Sequence, residues 1–236
     1  MAVAGFDWLV IDLEHGVGSE RELLAQLQAV EHTGIATLVR VEAIERPRFL
    51  RVLDLGATGV LVPRLETVAD ARRAVEYCRY QGSRGVARYN RNWHWGLAPR
   101  SLAEADEEVV CAVQIETRGA LQAVNEIAAI DGVDVLFVGP ADLAHSLGVA
   151  GGPDHPGLKE RIVEVGAAAS AQGKAAGIFL TTFEQAEAYA QLGFTFVACS
   201  SDSGLLAREA SQLAQRLQGL KKAPLTSTAD AEGTQR

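Results

Sequence analysis

The stretch VVCAVQIE, from Val109 to Glu116, contains seven uncharged, mostly apolar residues before it ends on a carboxylate. A second stretch, VLFVGPAD from Val135 to Asp142, follows the same pattern, because four apolar residues precede a polar turn that carries an acid. Strands that are continuously apolar are typical of a parallel sheet that is covered on both faces. In such folds, functional residues collect where the strands end. The two stretches therefore predict an α/β fold with Glu116 and Asp142 at its functional rim.

An alternation of helices and strands extends over most of the chain. Each unit comprises an amphipathic helix-like segment, a Gly or Asp-Gly stop, a short apolar strand and a polar turn. Ser19 with Glu22, and Thr182 with Gln185, have the spacing of helix capping boxes. Seven strands are predicted in this way, namely Trp8 to Asp12, Thr37 to Arg40, Gly59 to Pro63, Val109 to Glu116, Val135 to Gly139, Ala175 to Leu180 and Phe196 to Ser200.

This alternation predicts a closed barrel of the (β/α)₈ TIM type, with parallel strands inside and helices outside. An open doubly wound sheet is the alternative architecture. The first predicted strand is not followed by a GxGxxG turn, and the chain contains no Walker sequence. Dinucleotide binding is therefore not supported.

The length and composition suit one domain with a single core, since the chain has 236 residues of which 48% are hydrophobic. We predict one TIM-barrel domain over residues 1–220. Residues 221–236 contain few large apolar side chains, and we predict that they form a disordered C-terminal tail.

The charge of the chain argues against polyanionic partners. The formal net charge is -8 and no run of basic residues is present, so neither nucleic acid nor an anionic membrane is expected as a partner. The three cysteines have no metal-binding spacing. No apolar stretch of about 18 residues and no signal-like start are found, which predicts a cytoplasmic protein that acts on a small polar molecule.

Other strand ends carry complementary chemistry. Asp12 and His15 follow the first strand, and a histidine beside a carboxylate can act as a general acid or base. Arg40 ends the second strand and offers a permanent cation to an enolate oxygen. The amides near Ala141 and Asp142, at the start of a helix-like turn, could receive a substrate carboxylate. Together these groups suit enolate chemistry, and two strand-end acids suit magnesium or manganese.

Each candidate also has an ordinary structural explanation. Asp142 could cap the turn that follows Pro140. Arg40 could be a salt-bridge partner, and His15 could be a loop histidine. The functional interpretation is favoured because acid, base, cation and amide occupy equivalent positions in successive units.

Five motifs in a fixed order carry a resemblance to a known family. They are FDWLVIDLEHG from Phe6 to Gly16, LVRV from Leu38 to Val41, GVLVPRLET from Gly59 to Thr67, VQIETRGAL from Val113 to Leu121, and VGPADLAHSLG from Val138 to Gly148. In this order they resemble the HpcH/HpaI aldolase/citrate lyase family of metal-dependent class II pyruvate aldolases. The similarity extends from Phe6 to about Leu206. It implies a (β/α)₈ barrel that cleaves 4-hydroxy-2-oxo acids to pyruvate and an aldehyde through a pyruvate enolate.

The resemblance also implies roles for individual residues. By it, Glu116 and Asp142 would bind a divalent cation (Mg²⁺, Mn²⁺ or Co²⁺). His15 with Asp12 would move protons. Arg40 would stabilise the enolate, and a substrate-binding set would comprise Arg40, Gln114, Ala141 and Asp142. The implied partners are a 2-oxo acid, an aldehyde and further copies of the chain, in a homo-oligomer such as a hexamer.

The chain departs from the family pattern at its start. Members usually carry a helix and a first barrel strand before the segment that resembles FDWLVID, whereas only Met1 to Gly5 precede it here. We therefore expect seven barrel strands in place of eight. The strands that begin at Trp8 and Phe196 would then have unpaired edges, which would lower stability or favour association.

The sequence leaves three alternative functions. A citramalyl- or malyl-CoA-type lyase would need a basic groove for its nucleotide, and the only cluster of arginines lies between Arg84 and Arg91. A Schiff-base aldolase needs a lysine at the catalytic end of a strand, and none of the four lysines is placed there. A non-catalytic barrel of the same fold is the third alternative.

The segment from Tyr80 to Asp106 interrupts the repeating unit. Its notable side chains are Arg84, Arg88, Arg91, Trp93, His94 and Trp95. Loops of this length are often lids or partner surfaces. A lid or a subunit contact is one prediction, and a surface loop whose aromatic residues pack on a neighbouring helix is the other.

Overall fold

The structure is a computed structural model that describes residues 1–221. Its strands are β1 (Trp8–Asp12), β2 (Ala36–Arg40), β3 (Gly59–Val62), β4 (Val110–Ile115), β5 (Val135–Val138), β6 (Ala175–Leu180) and β7 (Phe196–Cys199). All neighbouring pairs are parallel, and the order in the sheet is the order in the chain. The seven predicted strands are thus confirmed, with ends that shift by at most one residue.

Ten α-helices are present among the described residues. They are α1 (Glu20–Val30), α2 (Arg46–Asp54), α3 (Val68–Cys78), α4 (Leu102–Glu107), α5 (Arg118–Gln122), α6 (Val124–Ala128), α7 (Pro140–Leu147), α8 (Pro156–Ala171), α9 (Phe183–Gln191) and α10 (Asp202–Lys221). Three short 3₁₀ helices cover Ala2–Ala4, Glu31–Thr33 and Arg91–Gly96.

Local side-chain chemistry explains where several helices begin. The predicted capping box of Ser19 and Glu22 is present at the start of α1. The Thr182 hydroxyl accepts the Gln185 N–H at the start of α9, so this cap is formed without the reciprocal bond of a full box. These caps satisfy backbone N–H groups that have no partner inside the helix.

The two faces of the sheet are both covered, as the continuously apolar strands predicted. Leucine, valine, isoleucine and alanine side chains between the outer face and the helices form the main core. The inner face carries a smaller cluster of Leu38, Leu61, Ala112, Val135 and Phe137. Parallel strands buried in this way carry most of their polar groups at or near their ends.

The sheet is curled so strongly that its first and last strands face each other. The ring of Trp8 on β1 stacks on that of Phe196 on β7, with centroids 3.9 Å apart, and meets Phe137 edge-on at 6.5 Å. Stacked aromatic pairs of this kind contribute about 1 kcal/mol beyond their buried area. In the part of the chain that the structure describes, β1 and β7 each pair on one side only. The predicted TIM-type architecture is therefore observed with seven strands and two unpaired edges.

The segment from Tyr80 to Asp106 lies at the amino-terminal end of the strands. Arg91 within it donates to the carbonyl of Leu55 at 3.1 Å and pairs with Glu31 at 2.8 Å, and both partners lie in connections that lead into strands. This end is opposite to the rim that carries the candidate site residues. The prediction of a lid over the chain's own rim is therefore wrong.

The aromatic residues of this segment form a small core of their own. Trp93 is buried, and its Nε1–H donates to the hydroxyl of Tyr80 at 2.6 Å. The carboxylate of Asp106 accepts the backbone N–H of Tyr80 at 2.6 Å. This outcome agrees with the surface-loop prediction, although the rings pack mainly within the segment. Tyr89 and Trp95 remain exposed, and a subunit contact through them stays a prediction.

The chain divides into a compact unit from Met1 to Cys199 and a second unit that starts at Ser200. Within the second unit, α10 exposes four leucines at helical spacing, Leu206, Leu213, Leu217 and Leu220. The prediction of one domain over residues 1–220 stays a prediction. The predicted tail lies, apart from its first residue, outside the described residues. None of the described helices has the length and apolarity needed to cross a membrane.

Candidate active site

Parallel strand order brings the predicted polar residues to one rim. The register of β1 and β2 places Asp12 directly beside Arg40. Gln114 lies near the end of β4, and Glu116 follows that strand. Asp142 lies in the first turn of α7, directly after β5. Since all strands run in the same direction, these carboxyl ends share an edge.

Arg40 is held by two carboxylates. Its Nε donates to Oδ1 of Asp12 at 2.8 Å, and its Nη2 donates to Oδ2 at 2.5 Å. Its Nη1 lies 3.3 Å from Oε2 of Glu14. Burial raises the pKa of Asp12, but the hydrogen bond and the charge of Arg40 outweigh it and hold this pKa below its ordinary value. The guanidinium is therefore fixed in place as a permanent cation.

His15 has a different partner from the one that the sequence predicted. Its side chain is 69% exposed, and its Nε2 lies 3.7 Å from Oε2 of Glu14. Asp12 reaches only the backbone N–H of His15, at 3.4 Å. The pairing of Asp12 with the His15 ring was wrong, because the β1–β2 register commits the Asp12 side chain to Arg40. Glu14 is the carboxylate that lies near the imidazole.

Glu116 is the buried acid of the site, with 3% of its surface exposed. Its Oε1 accepts the backbone N–H of Arg64 at 2.7 Å, and its Oε2 accepts Nε2–H of Gln114 at 2.7 Å. Burial raises the pKa of Glu116 to about 7, with further contributions from the negative charges of Asp142 and Glu14, against the opposing effect of the Arg64 hydrogen bond. A cation bound nearby would strongly favour the ionised form of the Glu116 carboxylate.

The connection after β5 approaches this carboxylate closely. A Cβ atom on Gly139 would lie 2.5 Å from Oε2 of Glu116, so a larger residue there would displace the Glu116 carboxylate. Gly139 is the N-cap of α7 and no side chain caps this helix, which rules out the interpretation of Asp142 as its cap. Ala141 and Asp142 are exposed at the start of α7, where backbone N–H groups have no partner inside the helix.

The donor set fits a hard divalent cation. Glu116 and Asp142 interact electrostatically, and carboxylate oxygens are preferred ligands of Mg²⁺ and Mn²⁺. Oε1 of Gln114 is buried without a hydrogen-bond partner among the described residues, which leaves an acceptor for water or a ligand. No group of three or more His, Cys, Asp or Glu side chains that could hold a metal occurs within residues 1–221. The protein would thus supply two carboxylates, and water and substrate would complete the coordination.

Two residues at this rim, Arg64 and Phe179, were not predicted, and Glu14 was predicted at the end of the first strand without a role. Glu14 and Arg64 contact the predicted site residues, as described above. Phe179 on β6 is 40% exposed, and it occupies the same face as Ala175, which packs in the inner cluster. The alternation of side chains along β6 could have identified Phe179 as an inward-facing ring near the rim.

Comparisons with known proteins agree with this geometry. The protein-family model HpcH/HpaI aldolase/citrate lyase matches residues 1–209. A 4-hydroxy-2-oxovalerate aldolase from Rhodococcus jostii (strain RHA1) is 43% identical over 220 residues, which are 91% of this chain and 84% of the relative. A 2-dehydro-3,6-dideoxy-6-sulfogluconate aldolase from Pseudomonas putida is 38% identical over 231 residues, which are 97% of this chain and 91% of the relative.

A solved structure shows the same fold. The crystal structure of an HpcH/HpaI aldolase/citrate lyase family protein from Burkholderia cenocepacia J2315 superposes with a TM-score of 0.87 and 37% sequence identity, and the match covers 92% of this chain and 88% of that one. The resemblance inferred from the five motifs is thereby confirmed, as is the TIM-barrel type of the fold. The chain therefore belongs to the HpcH/HpaI aldolase/citrate lyase family.

Proposed function

We propose that the protein is a metal-dependent aldolase that cleaves 4-hydroxy-2-oxo acids to pyruvate and an aldehyde. Membership of the family and the aldolase names of the two relatives support this function. The observation that carries it is the constellation at the rim. The buried acid Glu116 interacts electrostatically with a second acid, Asp142, and with the fixed cation Arg40.

In this reaction the C4 hydroxyl loses a proton, the C3–C4 bond breaks, and its electron pair becomes the enolate of pyruvate while the aldehyde leaves. A proton then adds to C3. Glu116 and Asp142 would hold the divalent cation (Mg²⁺, Mn²⁺ or Co²⁺), which when bound polarises the 2-oxo group. The protein must in addition stabilise the enolate oxygen, orient the substrate carboxylate and move protons.

The described residues can perform these tasks. Arg40, held by Asp12 and Glu14, presents a positive charge that stabilises the enolate oxygen as the C3–C4 bond breaks. The exposed backbone at Ala141 and Asp142 would receive the substrate carboxylate at the start of α7.

Two side chains would then complete the site. Gln114 donates one Nε2–H to Glu116, and its second Nε2–H would donate to an oxygen of the pyruvate half. His15 is exposed beside Glu14, so its ring can exchange a proton between the C4 hydroxyl and solvent. Glu14, in place of Asp12, would orient this imidazole.

An acyl-CoA lyase of the citramalyl or malyl type is the nearest alternative. It would need free arginines for the nucleotide phosphates, and in the cluster from Arg84 to Arg91 only Arg88 has no ion pair among the described residues, where its guanidinium lies over the Trp93 ring at 5.1 Å. Arg84 is fully buried with Asp54, and Arg91 pairs with Glu31. These arginines lie at the amino-terminal end of the strands, away from the candidate site, which favours the aldolase over the acyl-CoA lyase. The aldolase is further proposed to act as a homo-oligomer, such as a hexamer.

The test is to incubate the purified protein with pyruvate, a panel of small aldehydes, and either Mg²⁺ or Mn²⁺ or a chelator, and to follow pyruvate consumption and product formation. We expect aldol product with metal and none with chelator. Glu116→Gln serves as the matched inactive control. Absence of product with every aldehyde and metal would contradict the proposal and favour a non-catalytic barrel.

A further inference from the structure

Arg64 occupies an unusual position at the rim. It follows β3 by two residues and has a φ of +55°, in the left-handed region that non-glycine residues seldom adopt. Its backbone N–H donates to Oε1 of Glu116 at 2.7 Å. A strained backbone persists where the surrounding structure holds it, and such residues cluster at functional sites. The backbone of Arg64 is thus held next to the buried Glu116 in a conformation that costs free energy.

The side chain of Arg64 is a cation without an assigned partner. Arg40 is engaged by its two carboxylates, and Arg118, which begins α5, donates to the carbonyls of Ser146 and Leu147, each at 3.2 Å. Arg64 is exposed, and within the described part of the chain its guanidinium has neither an ion pair nor a hydrogen bond. Of these three arginines, Arg64 is the one available to a ligand.

We propose that Arg64 binds an anionic group at the far end of the aldehyde, so that the enzyme prefers aldehydes that carry a carboxylate or a sulfonate. The inference rests on the proposed aldolase function and names its substrate class. The pyruvate half would occupy the space between Glu116 and Arg40, and the aldehyde half would then extend from the rim towards solvent, where Arg64 is exposed. A guanidinium there can bind such an anion through two parallel hydrogen bonds.

Succinic semialdehyde and butanal provide a matched pair, because both have four carbons and only the first carries a carboxylate. Each is combined with pyruvate and Mg²⁺, and kcat/KM is measured for the aldehyde. The chains compared are the parent, Arg64→Gln, Arg64→Lys and a control, Arg72→Gln, which removes an exposed arginine of α3.

We expect the parent to prefer succinic semialdehyde. Arg64→Gln should lower the kcat/KM ratio of succinic semialdehyde to butanal by about 10-fold or more, mainly through KM. Arg64→Lys should retain part of the preference, and Arg72→Gln all of it. Added salt should reduce the ratio in the parent and not in Arg64→Gln.

The outcomes separate the two proposals. If aldehydes react but Arg64→Gln keeps the ratio, or if the parent prefers butanal, the assignment of Arg64 is overturned and the aldolase function stands. If no aldehyde reacts with pyruvate, both are overturned. Thermal melting monitors folding, and Arg64→Asn replaces Arg64→Gln if the latter melts early, because asparagine tolerates left-handed backbone.

Discussion

Arg40 donates to both carboxylate oxygens of Asp12, so that one forked ion pair joins the ends of β1 and β2. The pair lies between residues 28 positions apart in sequence, and the strand register alone makes them neighbours. It serves two purposes at once. It fastens the outermost strand of the sheet at the rim, and it orients the cation proposed to stabilise the enolate.

Replacement of Asp12 by Asn should make the stability of the protein less dependent on pH. The folded-state pKa of Asp12 lies below the ordinary value of 3.8, so its charge stabilises the fold above that value. This contribution is lost as pH falls through the lower folded-state pKa. Thermal melting of Asp12→Asn should therefore be lower than that of the parent at pH 7, and the difference should vanish in acid. A difference in melting temperature of equal size at every pH would show that the negative charge of Asp12 does not contribute to stability through Arg40.

Glu116→Gln should weaken cation binding without loss of the fold. The amide keeps the size of the side chain and an oxygen that can accept the Arg64 N–H, but it removes the anionic charge at the buried position. We expect Mn²⁺ affinity, measured by calorimetry, to fall by about 10-fold or more, since a charged ligand is lost. Asp131→Asn, on the exposed surface, is the control and should bind Mn²⁺ like the parent.

His15→Ala should lower turnover strongly and leave Mn²⁺ affinity unchanged. General acid–base groups typically contribute on the order of 10² to 10⁴-fold to rate, and the exposed ring makes no packing contribution that its removal would disturb. Steady-state kinetics with the preferred aldehyde measures the effect. Replacement of the exposed His94 by Ala, at the other end of the strands, is the matched control. Turnover within a few-fold of the parent would show that His15 is not the general acid or base.

Asp54→Asn should destabilise the fold away from the active site. Arg84 is fully buried, its Nη2 pairs with Asp54 at 3.0 Å, and its Nε and Nη1 have no hydrogen-bond partner among the described residues. Loss of the carboxylate leaves a buried guanidinium without a counter-ion, which costs about 3 kcal/mol or more. Urea unfolding should show this loss. The double variant Asp54→Asn with Arg84→Met should recover part of the lost stability. No recovery would mean that the buried Arg84 does not need the negative charge of Asp54.

Much of the fold follows from local patterns. The apolar runs predicted all seven strands because burial on both faces leaves few polar positions inside a strand. The position of Glu116 and Asp142 after two such runs predicted that both would lie at one rim. The order of the strands in the sheet agrees with the chain order that a TIM-type barrel requires. These features depend on residues that are close in sequence, so one amino-acid sequence is enough to recognise them.

Other relationships depend on residues that only folding brings together. The sequence alone could not show that Asp12 pairs with Arg40 and not with His15, because that pairing depends on the register of β1 and β2. It could not place the segment from Tyr80 to Asp106 at the amino-terminal end, since its anchors lie in distant connections. The left-handed backbone of Arg64 is likewise a product of tertiary structure, because nothing local favours it and the buried Glu116 accepts its N–H. The sequence by itself thus determined which groups stand at the strand ends, and the tertiary structure decided their partners, since hydrogen bonds and charges act over a few ångströms in space irrespective of distance along the chain.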